Sequence, residues 1–294
     1  MAQLTLKNIK ISFCQTEVLK DISLEVNDGE FISLVGQSGC GKSTLLRIIA
    51  GLESPDTGEI LIEGKSVTNR APKERNVAMV FQDYALYPHM SVAENLSMPL
   101  IMARLPLHAR LPFLRFIAPA ARRDRPVIAA GVEKVAKQLR IGHLLDRRPA
   151  QLSGGQRQRL CIARALGLNP KLIIADEAVS ALDVSIQAQV VNLMMELQED
   201  FGLSYLFISH DMAVVERVSH RVAVMYLGEI VEIGPRQAVF ENPQHAYTKK
   251  LMSAVPVADP SRRRTDLRLM TDEIPSPLKP VGYEPPKREY QEID

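Results

Sequence analysis

The stretch GQSGCGKST, residues 36–44, combines residue types that bind a phosphate chain. Its three glycines let the backbone curl, so that successive N–H groups point inward at phosphate oxygens. Lys42 supplies a cation for the terminal phosphates of ATP, and the Ser43 hydroxyl suits Mg²⁺. An apolar run precedes the stretch and a helical pattern follows it, an order that indicates a nucleotide-binding phosphate loop. The expected ATP contacts are Gly36, Ser38, Gly39, Cys40, Gly41, Lys42, Ser43 and Thr44.

Two acids at the end of a predicted strand supply groups that phosphate hydrolysis needs. The run KLIIADE, residues 171–177, is apolar up to Asp176, whose carboxylate suits Mg²⁺ coordination. Glu177 beside it suits general-base work on an attacking water. Gln82 follows another strand pattern and can bind Mg²⁺ and orient a water. The predicted metal ligands are Ser43, Gln82 and Asp176.

The stretch LSGGQRQR, residues 152–159, places a serine and two glycines just before a second helical run. A helix N-terminus of this kind can receive an anion, because its first N–H groups have no partner within the helix. One chain with two such sites is expected to use two surfaces on one phosphate. The residues expected at the second surface are Ser153, Gly154, Gly155 and Gln156.

Two single residues admit both a functional and an ordinary interpretation. His210 follows the buried strand pattern SYLFIS, at the strand edge where ligands bind in parallel α/β sheets, although a lone histidine is usually structural. Phe13 lies upstream of the phosphate loop and either stacks on an adenine ring or belongs to the strand core.

The composition is that of a globular protein with a substantial core. The chain has 294 residues, of which 46% are hydrophobic, and its 36 basic and 34 acidic residues give a net charge of +2. This balance argues against a nucleic-acid partner. Three cysteines without metal-type spacing indicate reduced thiols. No apolar run reaches the ~18 residues of a membrane span, so we expect a soluble chain whose membrane link is a partner.

Alternating patterns over residues 4–34 predict strands, and a helix-rich stretch follows Pro88 and runs to about residue 150. Within it, residues 104–125 carry six arginines and one acid among apolar side chains. This segment is either a solvated loop and helix or a surface that faces a membrane protein or lipid headgroups. Proline and charge accumulate after Pro235, and the tail from about residue 258 is predicted to be loosely ordered.

Over residues 2–235 the chain resembles the nucleotide-binding subunits of ABC transporters. The phosphate loop, Gln82, LSGGQ, the paired acids, the SALD run that ends at Asp183, and His210 occur in that family's order. The resemblance implies a P-loop α/β fold with a mostly parallel core sheet, an antiparallel β subdomain and an inserted helical subdomain at about residues 88–160. It divides the chain into a nucleotide-binding domain, 1–235, and a partly disordered C-terminal extension, 236–294.

The same resemblance implies roles for the residues that match the family's motifs. In that family two subunits pack head to tail, with ATP between the phosphate loop of one and LSGGQ of the other. Glu177 then activates water, His210 contacts the γ-phosphate, and Asp183 signals across the dimer. Gln82 and the helical subdomain carry motion to the membrane subunits. Ala178 stands where the family usually has proline, at a position without a chemical role.

Within the family the chain resembles two subgroups. VFQDYALYPHMSVAENL, residues 80–96, is similar to sugar-importer ATPases, whereas FENPQHAYTKKLMSAVPVADP, residues 240–260, is similar to glutathione and dipeptide importer ATPases. The leading interpretation is an ATPase that energises uptake of a small peptide, with a sugar or polyol importer as the alternative. A soluble ABC ATPase of DNA repair or translation would carry a long coiled-coil insertion or a second cassette, and a non-hydrolysing cassette would lack the acids found here.

The partners and location follow from the resemblance. They are a second ATPase subunit, identical or different, two integral-membrane permease subunits, and a periplasmic or extracellular substrate-binding protein. The chain is expected at the cytoplasmic face of the bacterial inner membrane as a peripheral subunit.

Overall fold

The computed structural model describes residues 2–105, 119–254 and 291–292 of the chain. It contains two compact units, one formed by Met1–Arg70 and Leu206–Asp294 and the other by Ala71–Tyr205. We call them the first and the second unit. Most of the tail after residue 254, and residues 106–118 of the arginine-rich segment, lie outside the described residues.

Strands and helices alternate along most of the described chain. The strands are β1 (Ala2–Phe13), β2 (Thr16–Asn27), β3 (Phe31–Val35), β4 (Thr57–Ile62), β5 (Lys65–Ser66), β6 (Val77–Val80), β7 (Leu172–Asp176), β8 (Ser204–Ile208), β9 (Arg221–Tyr226), β10 (Glu229–Pro235) and β11 (Gln291–Glu292). The α-helices are α1 (Lys42–Ala50), α2 (Val92–Arg104), α3 (Pro119–Gln138), α4 (Gly154–Leu166), α5 (Val184–Phe201), α6 (Met212–Val218), α7 (Arg236–Glu241) and α8 (Ala246–Ser253).

The first unit contains an antiparallel sheet with strand order β2-β1-β4-β5. The long strands β1 and β2 alternate polar and apolar residues, and most of the apolar ones, such as Leu4, Leu6 and Leu19, are fully or almost fully buried. An alternation of period two places one face of a strand in the core and the other in solvent. This sheet confirms the antiparallel β subdomain that the sequence predicts.

Each unit contains a pair of parallel strands. In the first unit, β3 pairs with β9 in parallel, with Leu34 opposite Ala223, and β10 continues the sheet antiparallel to β9. In the second unit, β6 pairs with β7 in parallel, with Met79 opposite Ile174. All five residues of β3 and of β8 are buried, which explains their uninterrupted apolar sequences. The prediction of an α/β fold with a mostly parallel core is confirmed.

Helices α2, α3 and α4 lie in the second unit, where the backbone N–H groups of Val92 and Ala93 donate to the carbonyls of Arg147 and Leu145. The boundaries predicted for the helical subdomain, and the division at residue 235, remain predictions. None of the helices in the described part of the chain has the length and apolar character needed to cross a membrane.

Candidate functional site

The phosphate loop lies between the buried strand β3 and helix α1 in the first unit. Gly41 is the N-cap of α1 in a left-handed conformation with φ of 105°, and no described side chain caps this helix. The start of α1 therefore presents backbone N–H groups and the positive end of a helix dipole, which is the arrangement that binds phosphate.

Gly36 occupies a position that only glycine can fill. Its φ is 151°, and a Cβ built on it would lie 2.1 Å from the carbonyl oxygen of Met225 in β9. Gly41 is similarly restricted, because a Cβ there would lie 2.7 Å from the Leu19 Cδ2 atom of β2. The loop is thus shaped by close backbone approach of two neighbouring strands.

Lys42 is only 5% exposed and makes its contacts within the loop. Its ammonium donates to the carbonyl oxygens of Gly36 and Gln37, each at 2.7 Å, and lies 3.7 Å from the Cys40 Sγ atom. Burial raises the pKa of the Cys40 thiol, although the nearby Lys42 opposes that rise. Cys40 therefore remains a neutral packing residue of the loop at neutral pH.

The outer side of the loop is open to solvent. Ser38, Gly39 and Ser43 are exposed and Thr44 is half-buried. A small pocket of about 120 Å³ adjoins Gly39 and is lined mainly by the β2 residues Thr16, Glu17, Val18 and Lys20.

Phe13 and His210 also lie in the first unit. Phe13 pairs with Thr16 across the β1–β2 turn and is 45% exposed, so it is not a buried core side chain, and its stacking on adenine stays a prediction. His210 is exposed and follows β8, directly before Asp211, whose carboxylate accepts N–H groups to cap α6.

The predicted acids lie in the second unit, at the end of β7. Asp176 and Glu177 are half-buried, and Glu177 has a left-handed backbone with φ of 49°. Its carbonyl oxygen accepts the Ser180 N–H at 3.1 Å and the Ser180 hydroxyl at 2.9 Å, which closes a tight turn after the strand. The Gln82 Nε2 atom donates to the same hydroxyl at 3.5 Å. The structure therefore brings Gln82 and the turn that starts at Glu177 together.

The start of α4 satisfies its own polar groups. The Ser153 hydroxyl accepts the Gln156 N–H at 3.4 Å, while the Gln156 side-chain oxygen accepts the Ser153 N–H at 3.0 Å. Gly155 is buried, and a Cβ there would lie 2.5 Å from the Ile186 Cγ2 atom, whereas Gly154 has more room. An open groove of about 350 Å³ adjoins this helix start and carries basic side chains from Arg140, His143 and Arg159.

Asp183 is exposed and caps α5, where its carboxylate accepts the Ile186 N–H at 3.0 Å and the Ser185 hydroxyl at 3.2 Å. The cap fixes the direction in which the chain leaves the turn after β7. A signalling role for Asp183 remains a prediction.

The metal ligands predicted from the sequence are divided between the units, with Ser43 in the first and with Gln82 and Asp176 in the second. Their hydroxyl, amide and carboxylate oxygens are the hard donors that Mg²⁺ prefers, so their chemistry fits that ion. Among the described residues, no group of three or more His, Cys, Asp or Glu side chains could hold a metal. This finding concerns metal sites in which protein side chains supply all the ligands. Mg²⁺ bound beside phosphates needs few protein ligands, because phosphate oxygens and waters supply the others.

Sequence reasoning missed the part that Gln37 plays. Its carbonyl holds the Lys42 ammonium, but a main-chain contact leaves no signal in the residue type.

Comparisons with known proteins agree with this geometry. Residues 19–180 match the family model described as "ABC transporter", and residues 231–282 match the one described as "Oligopeptide/dipeptide transporter, C-terminal region". Among solved structures, the chain is similar to the ADP conformation of an ATP-binding cassette of an ABC transporter, with a TM-score of 0.71, 29% identity, and coverage of 85% of this chain and 99% of the other. A dimeric cassette in a post-hydrolysis state with ADP and phosphate gives a TM-score of 0.65 at 30% identity, covering 79% of this chain and 98% of the other.

Curated relatives point in the same direction. The chain is 50% identical over 282 residues to the glutathione import ATP-binding protein of Pectobacterium atrosepticum, and 50% identical over 280 residues to that of Escherichia coli K12. Each match covers 92% of this chain, and the chain spans 42% of the length of these relatives. The similarity therefore includes both the phosphate-loop half and the C-terminal half.

Proposed function

Because this chain belongs to the ABC transporter family, we propose that it binds ATP at the phosphate loop and hydrolyses it to energise uptake of a small peptide, of the glutathione or dipeptide class. The observation that carries ATP binding is Lys42, a nearly buried ammonium held on two carbonyls at the start of a helix without a described side-chain cap. Phosphate oxygens are stronger acceptors for this ammonium than the carbonyls are, because they carry negative charge.

Five side chains outside the Lys42 contacts are proposed to complete the chemistry. Ser43, Gln82 and Asp176 would hold Mg²⁺, which supplies charge neutralisation at the β- and γ-phosphates. Glu177 would take the proton from the attacking water. Gln82 orients that water, and His210 donates a hydrogen bond to the γ-phosphate.

A second ATPase subunit is proposed to close the site. The Ser153 hydroxyl and the N–H groups at the start of α4 would contact the γ-phosphate of ATP bound to that subunit, and the basic groove beside them favours an anion. The Ser153 oxygen accepts the Gln156 N–H, and the same hydroxyl would donate its O–H to the phosphate when the dimer forms. Asp183, which caps α5, signals the state of the site to the other subunit.

The substrate class is supported by the C-terminal match at residues 231–282 and by the names of relatives at about 50% identity. Two permease subunits and a substrate-binding protein complete the proposed importer, and the chain acts at the cytoplasmic face of the bacterial inner membrane.

The chemical proposal is tested with Glu177→Gln. Losing a positioned general base is expected to slow ATP hydrolysis about 100-fold or more, while ATP still binds. Glu199→Gln is the matched control, because Glu199 is an exposed acid on α5 that undergoes the same change of charge. Turnover measured with purified protein should fall only in the first variant. Equal turnover in both variants would remove Glu177 from the mechanism.

The substrate proposal is tested by reconstitution in liposomes. The chain is paired with a glutathione or dipeptide permease and, separately, with a sugar permease, each with its binding protein. We expect the substrate to stimulate ATP hydrolysis severalfold only in the peptide system, because the C-terminal half and the overall identity match that group. Stimulation confined to the sugar system would show that the 80–96 region decides the partner and that the peptide assignment is wrong.

A further inference from the structure

The segment that follows β10 is tied to that strand by a buried carboxylate. Glu232 is fully buried, and its two oxygens accept the N–H groups of Gln244 at 2.8 Å and His245 at 2.9 Å. The His245 Nδ1 atom in turn accepts the Tyr247 N–H at 3.2 Å and caps α8. A buried carboxylate is stable only while such donors stay in place, so the start of α8 has a fixed position.

Tyr247, in the first turn of α8, lies against the phosphate loop. Its ring stacks on Tyr226 of β9, with centroids 4.3 Å apart and an interplanar angle of 27°. Its hydroxyl oxygen accepts the Gln37 N–H at 2.9 Å. Leu251 and Met252, one turn further along α8, pack against the valine cluster that includes Val35 at the end of β3. The helix is therefore held beside the loop by apolar contacts as well as by this hydrogen bond.

The Gly36–Gln37 peptide is bound on both of its edges. A trans peptide directs its C=O and its N–H in opposite directions. The Gly36 carbonyl accepts the Lys42 ammonium at 2.7 Å, and the Gln37 N–H donates to Tyr247. A rotation of this peptide plane would break both bonds together, so the tyrosine hydroxyl and the lysine ammonium are linked through a single rigid group.

We propose that Tyr247 is a positioning residue of the phosphate loop. Its hydroxyl fixes the Gly36–Gln37 peptide and, through that peptide, the place from which the Lys42 ammonium reaches phosphate. The C-terminal segment thereby sets how tightly the loop binds ATP. This inference rests on the proposed binding of ATP at this loop. In the sequence, the C-terminal segment only indicates the importer subgroup, whereas here it contributes to the nucleotide site.

The physical basis is preorganisation. When Lys42 leaves the two carbonyls for phosphate oxygens, the loop loses the bonds that hold the Gly36–Gln37 peptide from one side. The bond to Tyr247 holds the same peptide from the other side. A loop that keeps its shape loses less conformational freedom on binding, and its affinity is higher for that reason.

The test is Tyr247→Phe, which keeps the ring and removes the acceptor of the Gln37 N–H. We expect the dissociation constant of a fluorescent ATP analogue and the KM for ATP to rise about fivefold, the usual worth of one hydrogen bond, with kcat within about twofold. Amide exchange of the Gln37 N–H should become faster. A lower melting temperature and a lower kcat with an unchanged dissociation constant would mean a merely structural role and would overturn the proposal.

Two further variants keep the test decisive. Gln37→Pro removes the donor of the same bond, so Tyr247→Phe should add nothing to it in the double variant, and an additive effect would contradict the proposal. Tyr226→Phe removes the other hydroxyl of the stacked pair and should change the dissociation constant by less than about twofold.

If the wild-type protein does not bind the analogue, the proposed function fails. If it binds and Tyr247→Phe binds equally well, only the present inference fails.

Discussion

Helices α1 and α4 both begin at glycine-rich stretches, but their first turns are organised differently. Gly41 starts α1 in a left-handed conformation, and no described side chain caps that helix. Ser153 starts α4 in an extended conformation and exchanges hydrogen bonds with Gln156. No described side chain caps the first helix start, whereas at the second each of two side chains accepts the backbone N–H of the other residue. The first turn of α1 therefore offers its backbone N–H groups to a ligand, while a ligand at the start of α4 would meet the Ser153 O–H and the N–H groups that these two side chains do not bond.

The glycines show the same contrast. In the phosphate loop, Gly36 and Gly41 have positive φ and approach neighbouring strands too closely for a side chain. At the start of α4, Gly154 and Gly155 have helical conformations, and only Gly155 is crowded, by one side chain. The clash at Gly36 is with a backbone carbonyl, which cannot relax, whereas the nearest atoms at Gly41 and Gly155 belong to side chains, which can move in part. The positive φ of Gly41 still disfavours any side chain there. The loop should thus tolerate much less change than the helix start.

The largest expected effect comes from Gly36→Ala. The added Cβ would lie 2.1 Å from the Met225 carbonyl, so we expect a loss of about 3 kcal/mol or more in the free energy of unfolding, and loss of ATP binding. Gly39→Ala is the control within the loop, since no described atom lies within 4 Å of its Cβ, and its φ of 79° alone should cost about 1 kcal/mol. Gly154→Ala should be close to neutral. Urea denaturation and binding of a fluorescent ATP analogue measure these effects, and equal losses at Gly36 and Gly154 would contradict the contrast.

The sequence predicted the strand, the glycine-rich loop and the helix around residues 36–44, because each of these features depends on local residue types. Glycine spacing, a lysine and a serine between a strand and a helix describe a backbone that only a few sequences can form. The predictions of an α/β core with parallel strands and of an antiparallel sheet were confirmed for the same reason, since buried and half-buried strands have different periodicities. Family membership was also predicted correctly, from the order of these motifs.

Contacts between distant parts of the chain could not be predicted in this way. Gln37 and Tyr247 are 210 positions apart, and a main-chain N–H gives no sign of its acceptor. In the sequence, Glu232 is a charged residue within a predicted strand. In the structure it is fully buried, and two N–H groups of a later segment donate to its carboxylate. The left-handed backbone of Glu177 is likewise set by the turn to Ser180, for which the residue type offers no signal. The roles assigned to the site residues remain predictions for direct tests.

The smaller effect concerns the hydroxyl that α4 uses as its cap. Ser91 of α2 provides a matched case, because Ser91 and Glu94 exchange the same pair of hydrogen bonds as Ser153 and Gln156. Replacing either serine with alanine removes a helix cap and should lower the free energy of unfolding by about 1 kcal/mol. Only Ser153→Ala should also reduce ATP hydrolysis, by about tenfold, because its hydroxyl is proposed to bond a charged phosphate on the other subunit.

Stability and turnover separate the two roles of Ser153 when both variants are measured together. Urea denaturation should give similar losses for Ser91→Ala and Ser153→Ala, since both caps satisfy one N–H of a first helical turn. Turnover at saturating ATP should stay near wild type in the first variant and fall in the second. If both variants retain full turnover, the Ser153 hydroxyl is a cap and nothing more, and contact with the second subunit must come from the backbone N–H groups of α4.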